Sequence, residues 1–163
     1  EAISHRLLRS GEVIGAVTTW ESPIAGCRAT PLGDMHYIPV AAPGLAARLG
    51  AGQWFGADAA AIYYDPDDKL IDRFVATERL PSPERRHLIP SSQGYVSALL
   101  VGLGWGLAPR PQIVDRLAEG SLIRVHHHDL TEALNWQCGS LRSRRLDRLT
   151  AAVESAAADL DST

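Results

Sequence analysis

Polar residues at the ends of short apolar runs are the first candidates for chemistry in this sequence. Ser91, Ser92 and Gln93 follow the predicted strand 86–90 and open a predicted helix that runs to Val101. Free backbone N–H groups at a helix start, together with serine hydroxyls, suit a carboxylate or another anion. Serine is also a favoured N-cap, and plain capping is the stronger interpretation on local sequence alone. Both interpretations place a helix start here.

Three acidic residues follow another predicted strand. Asp65, Asp67 and Asp68 come after the apolar run 60–64 and open the predicted helix 69–78. One aspartate is expected to cap that helix, but three carboxylates exceed what capping requires. Ligands of open α/β sheets bind beyond the carboxyl ends of the strands. There the carboxylates are suited to meet an ammonium or guanidinium group.

A third group of polar residues closes the predicted strand 13–19. Thr18, Thr19 and Trp20 are followed by Glu21. Hydroxyls and an indole at a strand end are suited to line a pocket, although a surface loop explains these residues equally well.

Other motifs carry weaker signals. Gly104-Trp105-Gly106 lacks the spacing of a phosphate-binding loop, and its glycines are expected to permit a tight turn and close packing. His126 and His128 would share one face of a strand, but no third metal ligand of suitable spacing is evident, so a polar loop is the stronger interpretation. No nucleophile elbow, zinc-protease motif or Ser-His-Asp set is identifiable. The sequence therefore predicts no catalytic residues, no metal and no cofactor.

These residues must be positioned by alternating strands and helices with short linkers. That order predicts an α/β fold with a mostly parallel sheet. The run 13–19 shows no alternation and is expected to be a strand buried on both faces. The predicted strands are 13–19, 27–32, 35–41, 60–64, 86–90, 122–125 and 133–138, and the segment 102–109 is predicted to be a tight turn that leads into a further strand. The predicted helices are 5–11, 43–50, 69–78, 91–101, 112–119 and 146–160.

Composition excludes several classes of protein. The chain has 163 residues, a net charge of −3 and 45% hydrophobic residues, which excludes disorder throughout and a bulk basic field for nucleic acid. No apolar run approaches the length of a membrane span. Two cysteines are too few for a disulfide framework, and reduced cytosolic thiols are the simpler interpretation. The chain starts with Glu, without a signal peptide, and we expect it to be a piece of a longer protein.

Several segments together resemble a known family. They are LLRSGEVIGAVTT (7–19), GC (26–27), PLGDMHYIPVA (31–41), PSSQGY (90–95), GLGWGLAP (102–109) and LNWQC (134–138). The sequence resembles the effector-binding domain of LysR-type transcriptional regulators along essentially its whole length. More narrowly, GAVTT and WQC are similar to the LysG/ArgP branch, which senses basic amino acids and activates an exporter of lysine and arginine.

The resemblance implies a type 2 periplasmic-binding-protein-like α/β fold of two subdomains. Residues 1–36 and 134–163 would form subdomain I and residues 37–133 subdomain II, with the chain crossing near 37–41 and returning near 134–138. The family binds its effector between the subdomains. The implied contacts are Thr18, Thr19 and Trp20 on one side and Ser91, Ser92 and Gln93 on the other, with Trp105 nearby. Asp67 and Asp68 are our candidates for the effector's cationic side chain, by charge complementarity.

The chain departs from the family pattern at its start. The winged helix-turn-helix and linker helix of the family have no counterpart here, nor do the first strand and helix of the effector domain. We therefore expect DNA contact only through an N-terminal helix-turn-helix domain absent from this chain. A homodimer or homotetramer, a cytoplasmic location and no membrane partner are also expected. A two-lobed small-molecule enzyme and a solute-binding protein are the alternative functions.

Overall fold

The computed structural model describes residues 2–49, 54–55, 58–141, 143–158 and 160. In these residues the helices are α1 (Ala2–Ser10), α2 (Pro43–Leu49), α3 (Leu70–Thr77), α4 (Ser92–Leu100), α5 (Arg110–Ala118) and α6 (Arg144–Ala157). The strands are β1 (Gly15–Thr18), β2 (Cys27–Ala41), β3 (Ala61–Tyr63), β4 (Arg86–Leu88), β5 (Gly106–Pro109), β6 (Ile123–Arg124) and β7 (Leu130–Gly139). No described helix has the length and apolar character needed to cross a bilayer. The end of the predicted helix 43–50, Gly50, lies outside the described residues.

The chain divides into two compact units. Unit 1 comprises Glu1–Met35 and Thr131–Thr163, and unit 2 comprises His36–Leu130. The chain passes from one unit to the other within β2 and returns within β7. Both passages therefore occur inside strands, where backbone hydrogen bonding restricts the conformations of the chain.

Unit 1 is built around the antiparallel pair β1–β7, whose register runs from Gly15 opposite Cys138 to Thr18 opposite Asn135. The indole of Trp136 is buried and donates to Thr150 Oγ1 on α6 over 3.0 Å. A Cβ atom at Gly15 would overlap that indole, so the strand can approach Trp136 only because the residue is glycine.

The loop that follows β1 is held by one buried side chain. Gln137 has no exposed surface. Its Nε2 donates to Thr18 Oγ1 (3.2 Å), to the Trp20 carbonyl (3.0 Å) and to the Ser22 carbonyl (3.2 Å). Its Oε1 accepts the Ile24 N–H over 2.9 Å. One amide therefore satisfies backbone groups along the whole loop, as buried polar groups require.

Unit 2 combines antiparallel and parallel pairing. The carboxyl-terminal half of β2 pairs antiparallel with β5 and β6, whereas β3 and β4 are parallel. A parallel bridge joins Ala61 to Trp105 just before β5. Tyr95 of α4 is buried, and its hydroxyl donates to the carbonyls of Ile62 (2.9 Å) and Leu107 (3.2 Å). That hydroxyl would overlap a Cβ atom at position 106, which explains the glycine there.

The prediction of a mostly parallel sheet is wrong. The pairs β1–β7, β2–β5 and β2–β6 are antiparallel, and β3–β4 is parallel. Apolar runs predict that strands are buried, but the direction of pairing depends on which strands become neighbours. That choice is made by the tertiary structure.

Two further strand predictions also fail. The strands predicted over 27–32 and 35–41 are one continuous strand, β2, in which Gly33 has a φ of 113°. Gly33 thus accommodates the strand rather than ending it. The run 13–19 is not buried on both faces, because Ile14 and Val17 are 64% and 47% exposed. A continuous apolar run shows which side chains are apolar, but it does not show which of them other elements bury.

The hydroxyl of Tyr95 provides a first test of the core of unit 2. We expect Tyr95→Phe to lower the free energy of unfolding by about 1–2 kcal/mol, because two buried carbonyls lose a donor. Urea unfolding measures the change. Tyr64→Phe, at a residue that is 42% exposed, is the matched control and should change stability by less than about 0.5 kcal/mol. Equal effects of the two substitutions would show that the buried hydrogen bonds contribute nothing.

The amide of Gln137 provides a second test. Gln137→Glu keeps the shape but replaces the donating Nε2 with an oxygen that faces two carbonyls, so we expect a loss of about 2–4 kcal/mol at pH 7 in urea unfolding. Burial raises the pKa of the new carboxyl, so the loss should shrink as the pH falls through that pKa and the protonated acid donates again. The exposed Gln112→Glu is the control. A loss that does not depend on pH would contradict this role of the amide.

Candidate functional site

Two predicted site segments meet at one edge of the parallel pair in unit 2. The register of β3 and β4 places Ala61 opposite Arg86 and Tyr63 opposite Leu88. The carboxyl ends of parallel strands lie at the same edge, where α/β sheets bind ligands. Asp65–Asp68 follow β3 and Ser91–Gln93 follow β4, so the structure brings these two segments to a common edge.

Ser91 is the N-cap of α4. Its backbone is extended (φ −153°, ψ 123°), its Oγ accepts the Gly94 N–H over 3.1 Å, and its carbonyl accepts the Tyr95 N–H over 2.7 Å. The capping interpretation is therefore confirmed. The N–H groups of Ser92 and Gln93 belong to the first helical turn, which has no internal acceptors for them. Ser91, Ser92 and Gln93 are all exposed, so this end of α4 can receive an anion.

The acidic segment after β3 is a hydrogen-bonded turn. Asp68 accepts the Tyr64 N–H at Oδ2 (3.0 Å) and the Leu70 N–H at Oδ1 (2.9 Å), and Asp65 accepts the Asp67 N–H (2.8 Å). The expected aspartate does not occupy the N-cap position of α3. That position is Lys69, one residue after Asp68, and the Lys69 side chain makes no capping hydrogen bond. Asp67 is exposed, and its carboxylate has no partner among the described residues. Asp68 thus builds the turn, while Asp67 is available to a cation.

Trp105 lies in the core of unit 2. It is 0% exposed and packs edge-on against Phe55 with the ring centroids 4.8 Å apart. Its Nε1 is buried without a hydrogen-bond partner among the described residues. Close packing, as expected for the flanking glycines, is confirmed at Gly104, where a Cβ atom would overlap the Ala60 carbonyl. An effector contact of Trp105 stays a prediction.

In unit 1, Thr18, Thr19 and Trp20 stand at the end of β1. Thr18 is 7% exposed and its hydroxyl is bound by the Gln137 amide. Thr19 is half-buried, and Trp20 is 38% exposed with its ring edge-on to His5 at 4.8 Å. The structure thus gives Thr18 a structural role and leaves more of Trp20 accessible.

Unit 1 also contains a cavity of about 370 Å³ that the sequence did not predict. Its lining residues are Glu21, Ala29, Pro31, Gly33, Asp34, Ala133, Leu134 and Asn135. Its lining includes the acidic residues Glu21 and Asp34 and the buried Asn135 among residues without polar side chains. Glu21 directly follows the predicted site residues Thr18, Thr19 and Trp20, so its position in the sequence already indicates it. Asp34 carries no such signal, because it lies between the predicted strands 27–32 and 35–41, where Gly33-Asp34 is typical of a turn.

The segment His126–His128 follows β6 and is not a strand, so the two imidazoles do not share a strand face. His128 Nδ1 lies 2.8 Å from Glu78 Oε2. That contact is the main cause that lowers the pKa of Glu78, whereas burial is the main cause that lowers the pKa of His126. Both shifts favour the ionised carboxyl of Glu78 and the neutral imidazole of His126.

Sequence comparison finds that the chain is similar to transcriptional regulators. No model of a protein family matches it. The HTH-type transcriptional regulator LysG of Mycobacterium tuberculosis (strain H37Rv) is 40% identical over 163 aligned residues, covering 96% of this chain and 53% of LysG. The lysine export transcriptional regulatory protein LysG of Corynebacterium glutamicum is 37% identical over 161 residues, covering 96% and 55%. The chain thus spans about half the length of these curated relatives.

Solved structures agree with the sequence comparison. Full-length LysG of Corynebacterium glutamicum with bound effector Arg matches with a TM-score of 0.84 at 35% identity, over 96% of this chain and 54% of that chain. The C-terminal domains of a LysR family protein from Agrobacterium tumefaciens match with a TM-score of 0.83 at 32% identity, over 94% of this chain and 76% of that chain. The fold is therefore the expected type 2 periplasmic-binding-protein-like α/β fold of LysR regulatory domains. The chain belongs to the LysR family, in the part that forms its C-terminal domains.

Proposed function

We propose that this chain is the effector-sensing domain of a DNA-binding LysR-type transcriptional regulator that responds to lysine or arginine. Its relatives include a lysine export regulator, and a structural relative was solved with bound Arg. The observation that carries the proposal is the sheet edge of unit 2, where the exposed start of α4 and the acidic turn after β3 lie at the ends of paired strands.

The two segments match the two charged ends of a basic amino acid. The N–H groups of Ser92 and Gln93, with the serine hydroxyls, suit the α-carboxylate. The exposed carboxylate of Asp67 suits the side-chain ammonium or guanidinium, and Asp68 can accept a further bond because each carboxylate oxygen has two lone pairs. The complementarity at both ends favours a basic over a neutral amino acid.

Unit 1 is proposed to supply further effector contacts through Thr18, Thr19 and Trp20. Gln137 orders that loop before any effector binds, which reduces the entropy lost on binding. The cavity beside Glu21 and Asp34 supports a preference for cations in this unit as well. Trp105 has no exposed surface, so it is proposed to support the effector site from within the core of unit 2.

The proposed output is control of the transcription of an amino-acid exporter gene. The regulator is proposed to act in the cytoplasm. DNA would be contacted by a helix-turn-helix domain outside these residues, in a homodimer or homotetramer. An effector changes such an equilibrium only if it binds one arrangement more tightly than the other. We propose a sensing rather than an enzymatic role because the relatives are transcriptional regulators.

Recognition of the cation can be tested with a matched pair of ligands. We expect the intact protein to bind arginine about tenfold or more tightly than citrulline, its neutral isostere. Asp67→Asn should weaken arginine by about tenfold and leave citrulline nearly unchanged, as measured by isothermal titration calorimetry. Asp115→Asn, at an exposed residue of α5, is the control. Equal losses of affinity for arginine and citrulline would exclude charge recognition by Asp67. A loss of arginine affinity confined to the Glu21→Gln variant would place charge recognition in unit 1.

The carboxylate subsite can be tested at the first residue of α4. Ser92→Pro removes one N–H donor, and proline is tolerated at the first helical position after an extended residue. We expect wild type to prefer arginine over agmatine, which lacks the carboxylate, and Ser92→Pro to reduce that preference by about fivefold or more. Arg144→Pro, at the same position of α6, controls for the proline itself. An unchanged preference would exclude α4 as the anion site.

A further inference from the structure

A carboxylate and two imidazoles converge in unit 2, away from the sheet edge described above. Glu78 is the C-cap of α3, and His126 and His128 lie in the segment after β6. One ligand atom of each of the three side chains lies within 4.8 Å of the others. The sequence offered no third ligand for the histidines, because Glu78 is distant along the chain and is brought to them by the fold.

The distances show how far the three ligand atoms must move to hold one ion. Glu78 Oε2 lies 2.8 Å from His128 Nδ1 and 3.9 Å from His126 Nε2. A tetrahedral zinc ion with bonds near 2.1 Å places its ligand atoms about 3.4 Å apart. These two distances lie on either side of that value and require shifts of about half an ångström, whereas the widest separation among the three ligand atoms, up to 4.8 Å, must close by about 1.4 Å.

The three side chains differ in how firmly they are held. The His126 side chain is 13% exposed and packs edge-on against Phe74 (5.3 Å) and Phe55 (5.9 Å). Glu78 is 18% exposed, whereas His128 is 58% exposed. His126 is thus held by packing and Glu78 is largely covered, whereas His128 is open to solvent and can close on an ion.

We propose that Glu78, His126 and His128 bind a divalent transition-metal ion of the zinc class, with water as the remaining ligand. A donor set of two imidazoles and one carboxylate favours ions of this class over magnesium or calcium. Binding through His126 Nε2 leaves the ring proton on Nδ1, so the 3.3 Å hydrogen bond from the His128 N–H to Nδ1 must break. The bound ion would link the end of α3 to the segment after β6.

The test uses the intact, tag-free protein after removal of metals with a chelator. Zn²⁺ affinity is measured by competition with a chromogenic chelator, and Co²⁺ is added separately to obtain a visible spectrum of the site. We expect one ion per chain and a Co²⁺ spectrum of four- or five-coordinate intensity. Glu78→Gln and His128→Gln should each weaken Zn²⁺ by about tenfold or more. Far-ultraviolet circular dichroism checks that both variants remain folded.

His127→Gln is the matched control, because the His127 ring stacks on His126 and contacts His128 at a tilt but is not one of the three ligands. It should bind Zn²⁺ as wild type does. The proposal is overturned if wild type binds no stoichiometric ion, if Glu78→Gln binds as tightly as wild type, or if His127→Gln loses as much affinity as His128→Gln. Either of the last two results would show that Zn²⁺ binds the histidines nonspecifically.

Discussion

The side chain of Gln137 connects the framework of unit 1 with its proposed site. It is fully buried in β7, and its four hydrogen bonds satisfy Thr18, Trp20, Ser22 and Ile24. Without it, the buried Ile24 N–H would lose its acceptor at a cost of about 1–3 kcal/mol, and the part-buried carbonyls of Trp20 and Ser22 would lose a donor. The loop that carries Thr19, Trp20 and Glu21 therefore depends on a residue more than a hundred positions away.

In unit 2 the corresponding constraint is the parallel pairing of β3 with β4. It places an acidic turn and a serine-capped helix start at one edge, and the proposed recognition of a basic amino acid rests on that arrangement. The buried hydroxyl of Tyr95 ties α4 to the carbonyls of Ile62 and Leu107. The start of α4 is thereby fixed relative to the strands that precede the binding residues.

Local patterns predicted most of the elements. Ser91 as a cap, the glycines near Trp105 and the alternation of helices and strands were all readable, since capping and turn formation depend on near neighbours. Pairing directions, the continuity of β2 through Gly33 and the exposure of Val17 were predicted wrongly. Those properties depend on which segments become neighbours, and apolar runs do not encode that choice.

The sequence by itself determined the family resemblance, the fold class and the segments that carry the proposed effector site. The tertiary structure decided which residues in those segments are available: it buries Trp105, uses both oxygens of Asp68 in a turn and leaves Asp67 exposed. It also created the cavity beside Glu21 and Asp34 and the cluster of Glu78 with His126 and His128. Such groups are assembled from distant positions, so no local spacing reveals them.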